Sequence, residues 1–277
     1  MSIRIGTKNI FKVYVGTKEI GNVYVGSKNI FPGIIVPPDP DPEPSVGLYM
    51  VGFSNDALYT LNPSTGVATR VGSADQFGVN ENIPNGLAAI GNTLYMAGEN
   101  NDALFTLNTS TGVATQVGSA TQFGVNENEP RDLASIGNTL YMVGWTNHAL
   151  YTVNTSTGVA TRVGSADQFG VNERFPSGLA AIGNTLYMSG EENDALFTLN
   201  TSTGVATRVG SSTTFGVTET RPEGLAAIGN TLYMVGLSNN ALYTVNTSTG
   251  VATRVGSADQ FGVNEMGPTG LAYIPPT

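Results

Sequence analysis

The stretch GLAAIGNTLYMVG, residues 224–236, decides the fold of this chain because it recurs throughout it. Copies with one or two changes stand at 86–98, 132–144 and 178–190, each 46 residues after the one before. The central Gly-Asn fits a two-residue hairpin turn, since both residue types tolerate positive φ. The apolar runs on either side therefore predict two short antiparallel strands.

Each unit continues outward from this hairpin in the same order. A variable tetrad is followed by ALYTVN, a TSTG turn, VATRVG and a long loop that leads back to GLAAIG. Four strand-length apolar pieces bounded by turn residues predict a four-stranded antiparallel meander. Four strands in a period of 46 residues are typical of one β-propeller blade.

Counting the strands predicts how the ring closes. Each strand type occurs five times, but the first unit has no GLAAIG copy before it and the chain ends on a spare one, GLAYI at 270–274. We therefore predict an all-β fold, a five-bladed β-propeller over residues 46–277, in which the C-terminal strand completes the first blade. The small residues of GLAAIG favour the innermost position, and VATRVG favours the outer edge.

Residues 1–35 carry a shorter repeat of ten residues, in GTKNIFKVYV, GTKEIGNVYV and GSKNIFPGII. Its alternating pattern predicts short hairpin-like strands, and a segment of this size is too small to be stable alone. We expect an attachment or oligomerisation arm; a small sheet packed on the body is the alternative. Residues 36–45, VPPDPDPEPS, predict a stiff spacer of roughly 30 Å. The candidate arm contacts are Lys8, Lys12, Tyr14, Lys18, Tyr24 and Lys28.

The net charge of −9 is unevenly distributed: residues 1–35 carry +4 and the remainder −13. A basic arm on an acidic body favours two different partners, although two solvated surfaces would give the same pattern. The acidic body argues against nucleic-acid binding. The chain has no cysteine, which excludes disulfides and thiolate metal sites. No apolar run approaches the ~20 residues of a membrane-spanning helix, so we expect no membrane insertion.

The repeats differ mainly on one predicted face. If GLAAIG is innermost, the tetrads and the ends of the long loops share a face, whereas the opposite turns are nearly identical. The only tryptophan and the only histidine fall there. Exposed aromatic and charged side chains on a rigid ring predict a binding surface, with neutral drift as the alternative. Whether it forms one composite site or five separate ones stays open. The candidate ligand-binding residues are Phe53, Asp56, Glu99, Asp102, Arg131, Trp145, His148, Arg174, Phe175, Glu191, Arg221 and Glu223.

The shared part of the long loop, SADQFGVNE at 73–81, predicts a structural role. We expect its phenylalanine to wedge between neighbouring blades. The five equivalent positions are Phe77, Phe123, Phe169, Phe215 and Phe261.

The sequence offers little for catalysis. A single histidine cannot form a cluster, and the neighbours Glu191 and Glu192 have no evident reason to face one substrate. No phosphate-binding glycine loop or calcium loop is present. We therefore predict that the protein is not an enzyme and uses no cofactor or metal.

The five-bladed register resembles tachylectin-type lectin propellers, which bind N-acetyl sugars between blades. KVYVGTKEIGNVYVGSKNIFPG, residues 12–33, resembles strand repeats in bacteriophage tail and fibre proteins. These resemblances imply a virion tail-fibre or receptor-binding protein, commonly a trimer, that binds a host-surface glycan or protein. The arm would then dock on another virion protein or on itself. The alternatives are a structural or decoration protein of the virion and a free, secreted bacterial lectin.

Overall fold

The computed structural model of the chain describes residues 14–15, 18–19, 24–25, 28–29 and 47–276, except 212–214, 218 and 220. The chain divides into two compact units, Met1–Glu43 and Pro44–Thr277. The predicted linker 36–45 and the arm residues Lys8 and Lys12 lie outside the described residues.

The N-terminal unit contains the predicted hairpins at two places. Both are antiparallel pairs of two-residue strands, ten residues apart, and they contain the other four arm residues. The strands are Tyr14–Val15 with Lys18–Glu19, and Tyr24–Val25 with Lys28–Asn29.

The second unit is a five-bladed β-propeller, as predicted, and each blade is a four-stranded antiparallel sheet. From the innermost strand outward, blade 1 comprises Pro268–Ile274, Gly47–Gly52, Ala57–Leu61 and Ala68–Arg70, and blade 2 comprises Pro84–Ile90, Thr93–Gly98, Ala103–Leu107 and Ala114–Gln116. In the same order, blade 3 comprises Pro130–Ile136, Thr139–Gly144, Ala149–Val153 and Ala160–Arg162, blade 4 comprises Pro176–Ile182, Thr185–Gly190, Ala195–Leu199 and Ala206–Arg208, and blade 5 comprises Pro222–Ile228, Thr231–Gly236, Ala241–Val245 and Ala252–Arg254.

The ring closes through the spare C-terminal strand. Pro268–Ile274 pairs antiparallel with Gly47–Gly52, with Leu271 opposite Met50. This pairing joins the two ends of the propeller within blade 1 and covers a sheet edge that would otherwise be open.

Helical structure in the described residues is confined to short 3₁₀ turns in the long loops, at Asp75–Gly78, Gln122–Gly124, Asp167–Gly170 and Asp259–Gly262. None of the described residues form a helix long and apolar enough to cross a membrane.

The loop phenylalanines pack between blades, as predicted. Phe77 is fully buried in one cluster with Leu58 of blade 1 and Phe105 of blade 2. Its backbone is left-handed, with φ of 55°. That conformation costs about 1–2 kcal/mol for a non-glycine residue. Full burial of a phenylalanine side chain stabilises by roughly 1.5–3 kcal/mol, which offsets this cost.

The GLAAIG strands are innermost and line the axis. Their small side chains, such as Ala88 and Ala180, surround an axial cavity of about 80 Å³. The cavity lies along the part of these strands that leads toward the Gly-Asn turns. We call the surface with those turns the constant face. The opposite surface, formed by the tetrads and the ends of the long loops, is the variable face.

Candidate functional site

The two variable loops of each blade share a face, as the sequence predicted, and the structure shows that they are adjacent there. In every blade the N–H of the first tetrad residue donates to the carbonyl of the residue just before the loop proline, at 2.7–3.0 Å. The Trp145 N–H, for example, donates to the Glu129 carbonyl. Variable side chains from both loops therefore emerge side by side.

A buried glutamate locks these two loops together in each blade. In blade 3, Glu127 is fully buried. Its Oε1 accepts the N–H groups of Glu129 at 3.2 Å and Thr146 at 2.9 Å, and its Oε2 accepts from Asn147 Nδ2 at 3.2 Å. The same three bonds occur in the other blades through Glu81, Glu173, Glu219 and Glu265. We call this arrangement the glutamate clamp.

The glutamate clamp also explains a glycine at the end of each second strand. A Cβ atom on Gly144 would collide with the Glu127 carboxylate, and the equivalent glycines meet their own clamp in the same way. Sequence reasoning missed the clamp because it searched for positions that vary. The signal was the opposite: this glutamate and the tetrad asparagine are unchanged in all five repeats.

A single carboxylate closes the axis beneath the variable face. Asp132 is fully buried. Its Oδ1 accepts the N–H groups of Leu87 at 3.1 Å and Leu133 at 2.8 Å. Its Oδ2 accepts those of Leu179 at 2.7 Å and Leu225 at 3.1 Å. One side chain thereby ties the innermost strands of blades 2 to 5.

Burial raises the pKa of the Asp132 carboxyl, and the four backbone donors oppose that rise. The other blades have glycine at the equivalent position. A Cβ on Gly86 would collide with Asp132 backbone, and one on Gly224 with the backbone of Thr269 and Gly270. The axis therefore has room for one side chain at this level, that of Asp132, which was not among the residues predicted from the sequence. The sequence does mark this residue, because blade 3 alone lacks glycine at the equivalent position.

Side chains of all five blades meet above Asp132. They line one depression of about 670 Å³, within the range of small-molecule sites, and an adjoining smaller one of about 70 Å³. Arg131, Arg221 and Glu223 line both. We call the two depressions together the axial site. It includes eight of the twelve predicted residues: Phe53, Glu99, Arg131, Trp145, Phe175, Glu191, Arg221 and Glu223.

This convergence makes the axial site a single composite site. Blade 1 contributes Phe53, blade 2 Glu99, blade 3 Trp145, blade 4 Phe175 and blade 5 Arg221. Because these residues differ in size and charge, the site has no fivefold symmetry.

The part of the axial site formed by blades 3 and 4 is aromatic and cationic. Arg131 lies over the Trp145 ring, with Cζ 4.1 Å from the ring centroid. Phe175 meets Trp145 at 5.4 Å between centroids and 65° between planes, an edge-to-face contact. Arg131 Nη2 also pairs with Glu129 Oε2 at 3.3 Å. Trp145 is thus held from two sides.

Carboxyl groups outnumber guanidinium groups in the axial site. Arg221 pairs with Glu191, with 3.0 Å between Nε and Oε1. Glu99 accepts from Asn85 Nδ2 at 2.8 Å. Burial, with the nearby Glu191 charge, raises the pKa of Glu223 to about 8, although the Arg131 and Arg221 guanidiniums act against this. Within the described part of the chain no hydrogen bond to the Glu223 carboxyl opposes the rise.

Four predicted residues lie outside the axial site. Asp56, Asp102 and His148 occupy the last tetrad position, where φ is 46–47°. A side-chain atom of each is buried and lacks a hydrogen-bonding partner in the described structure. These residues serve the turn, because aspartate, asparagine and histidine tolerate left-handed backbone. Arg174 is bound instead by Glu192, with Nη2 2.5 Å from Oε1, on the exposed loop of blade 4.

Comparison with known proteins shows that this chain is similar in fold to several solved structures. No protein-family model matches the chain, and no curated protein matches it. A chain of the nidogen/laminin complex superposes with a TM-score of 0.55 at 11% identity, covering 82% of this chain and 98% of that chain. Glutaminyl cyclase of Myxococcus xanthus gives 0.44 at 14% identity, covering 69% and 71%. Virginiamycin B lyase of Staphylococcus aureus gives 0.45 at 13% identity, covering 80% and 73%. At these identities the first match supports a β-propeller fold and nothing further.

Proposed function

We propose that this protein is a non-enzymatic recognition protein that binds a surface ligand through the axial site. The observation that carries the proposal is the glutamate clamp: five identical supports present five different sets of side chains to one depression. A rigid scaffold with variable loops is the usual arrangement of binding proteins. The β-propeller fold is compatible with this role.

The biological setting that we propose is a bacteriophage tail fibre or another receptor-binding component of a virion. In this setting the ligand is a glycan or protein of the host surface, and residues 1–35 attach the chain to a virion partner or to other copies, with a trimer as the favoured state. The two short hairpins of the arm, ten residues apart, and its positive charge support this division of roles. A free, secreted bacterial lectin and a virion decoration protein are the competing proposals.

One observation favours a second candidate function. A carboxyl group with its pKa raised to about 8, beside arginines in a concave site, is a candidate general acid. Glu223 makes polysaccharide cleavage worth testing. Incubating the full chain and Glu223→Gln with bacterial surface polysaccharides, followed by sizing of the products, separates catalysis from binding.

The test of recognition uses the fluorescently labelled full chain and a broad panel of bacterial cells and purified surface glycans. The variant is Trp145→Ala at the axial site, and the matched control is Asn184→Ser, an exposed position on the constant face. We expect binding to a narrow set of targets, reduced at least tenfold by Trp145→Ala and retained by Asn184→Ser.

Two results would contradict the proposal. Folded protein that binds no target would favour a decoration or spacer role. Binding lost in Asn184→Ser but kept in Trp145→Ala would move the site to the constant face. Light scattering on the full chain tests the trimer independently of any ligand.

A further inference from the structure

The part of the axial site formed by blades 1, 2 and 5 contains a group of exposed apolar side chains. Phe53 and Met266 are each 50% exposed, more than any other large apolar side chain in the described structure. Together with Ile83 and Leu237 they line the larger depression. Exposed apolar side chains that gather in one concavity, rather than scattering over the surface, mark a place of contact with a partner.

Two carboxyl groups beside these apolar side chains form no ion pair in the described structure. The Glu99 carboxyl accepts only from the neutral amide of Asn85, and the Glu223 carboxyl has no hydrogen bond there. Both line the larger depression. The neighbouring arginines are already engaged, Arg221 by Glu191 and Arg131 by Glu129. The larger depression therefore offers two carboxyl groups that form no ion pair in the described structure, and a bound cation would favour the ionised form of Glu223.

Trp145 is poorly placed to stack on a sugar ring. Stacking of a sugar needs an open aromatic face, but Arg131 covers one face of Trp145 and Phe175 contacts it edge-on. A protein segment, in contrast, can supply an apolar side chain and a cation together, and buried cation–carboxylate pairs across interfaces contribute strongly to specificity.

We infer that the partner of the axial site is a protein segment that presents an arginine or lysine beside a large apolar side chain, with the cation bound between Glu99 and Glu223 and the apolar group on Phe53 and Met266. This inference rests on the proposed recognition function and specifies the chemistry of its ligand.

The experiment compares two small peptides on the full chain. Acetyl-Phe-Arg-amide carries a permanent positive charge, and acetyl-Phe-citrulline-amide has the same shape without it. Binding is followed by the indole N–H signal of Trp145, the only tryptophan, and by the methyl signal of Met266 in NMR titrations. We expect the arginine peptide to bind at least tenfold more tightly, which corresponds to about 1.4 kcal/mol.

Glu99→Gln and Glu223→Gln should each reduce this preference, whereas Glu192→Gln, which breaks the exposed pair with Arg174, should leave it unchanged. The preference should also increase from pH 6 to pH 9. A bound cation favours ionised Glu223, whose charge the flanking Glu191 and Glu219 disfavour and Arg131 and Arg221 favour. Equal affinity for the two peptides, or tighter binding of a chitosan tetramer than of the arginine peptide, would overturn the inference.

The outcomes separate the two proposals. Cell binding that depends on Trp145 but ignores charge at residues 99 and 223 would refute the cationic ligand and leave recognition standing. Selective peptide binding by a protein that binds no cells would support the ligand chemistry and refute host recognition.

Discussion

Replacing Asp132 by asparagine should destabilise the whole ring, because this carboxylate is shared by four blades. Asparagine keeps the shape but has one acceptor oxygen. Its amide nitrogen would then face two N–H donors, for example those of Leu179 and Leu225, which now donate to Oδ2 at 2.7 and 3.1 Å. Two hydrogen bonds to a charged acceptor contribute roughly 1.5–3 kcal/mol each, so the expected loss is about 3–6 kcal/mol.

Asparagine also removes the cost of burying a charge, so the expected loss lies toward the lower limit of this range. A loss of about 3 kcal/mol is still large against the 5–15 kcal/mol that typically separates folded from unfolded states. Urea unfolding, followed by Trp145 fluorescence and far-ultraviolet circular dichroism, measures it. Hydrogen exchange at the Leu179 and Leu225 amides gives a local readout, with faster exchange expected in Asp132→Asn.

The matched control is Asp167→Asn, whose carboxylate is highly exposed and pairs with Arg162 at 3.3 Å. Exposed pairs of this kind contribute about 0–1 kcal/mol, so little change is expected. If the free energy of unfolding of Asp132→Asn lies within 1 kcal/mol of that of the parent chain, with an unchanged denaturant slope, the four hydrogen bonds of the axial carboxylate do not hold the blades together.

Three further predictions follow from the clamp, the axial site and the closing strand. Glu127→Gln should lower the free energy of unfolding, measured by urea denaturation, by about 2–4 kcal/mol, because the new amide nitrogen would face the N–H and Nδ2 groups of Asn147. An unchanged free energy of unfolding would contradict the role of the glutamate clamp. In the folded protein the pKa of Glu223 is raised to about 8 from an ordinary 4.5, so its stabilising contribution is complete below about pH 4.5 and is lost as the pH rises through 8. The free energy of unfolding should therefore change less with pH across this window in Glu223→Gln than in the parent chain. The same pH dependence in both proteins would refute the shift. Deleting residues 268–277 leaves Gly47–Gly52 without its inner partner, so the chain should lose cooperative thermal unfolding or associate in size-exclusion chromatography; a stable monomer would disprove closure by this strand.

The blade architecture was predictable from sequence because its determinants are local and repeated. The Gly-Asn turn and the apolar strands beside it act within a few residues of one another, and the count of repeats indicated the one long-range pairing, that of the C-terminal strand with Gly47–Gly52. Asp132 was not predictable in the same way, since its partners lie 45, 47 and 93 positions away. Only the contrast with glycine in the other repeats pointed to it.

The axial site was partly predictable, and the position of the predicted residues that lie outside it has a physical explanation. Variation at Trp145 and Phe175 reflects side chains that face a shared depression. Variation at Asp102 and His148 reflects a left-handed turn that accepts several polar residues, which a comparison of repeats cannot distinguish from ligand contact. Arg174 pairs with Glu192 across two loops of blade 4, a contact 18 positions apart that no sequence period indicates.

The bonds of Asp132 also make the stability of the ring depend on the number of blades. Genes built from near-identical units readily gain or lose a whole unit by unequal recombination. An extra blade among blades 2 to 5 would move apart the N–H groups that Asp132 now binds, and loss of blade 3 would remove the carboxylate itself. Selection for a stable ring therefore also acts on the number of blades, although the side chains of the variable face differ from blade to blade.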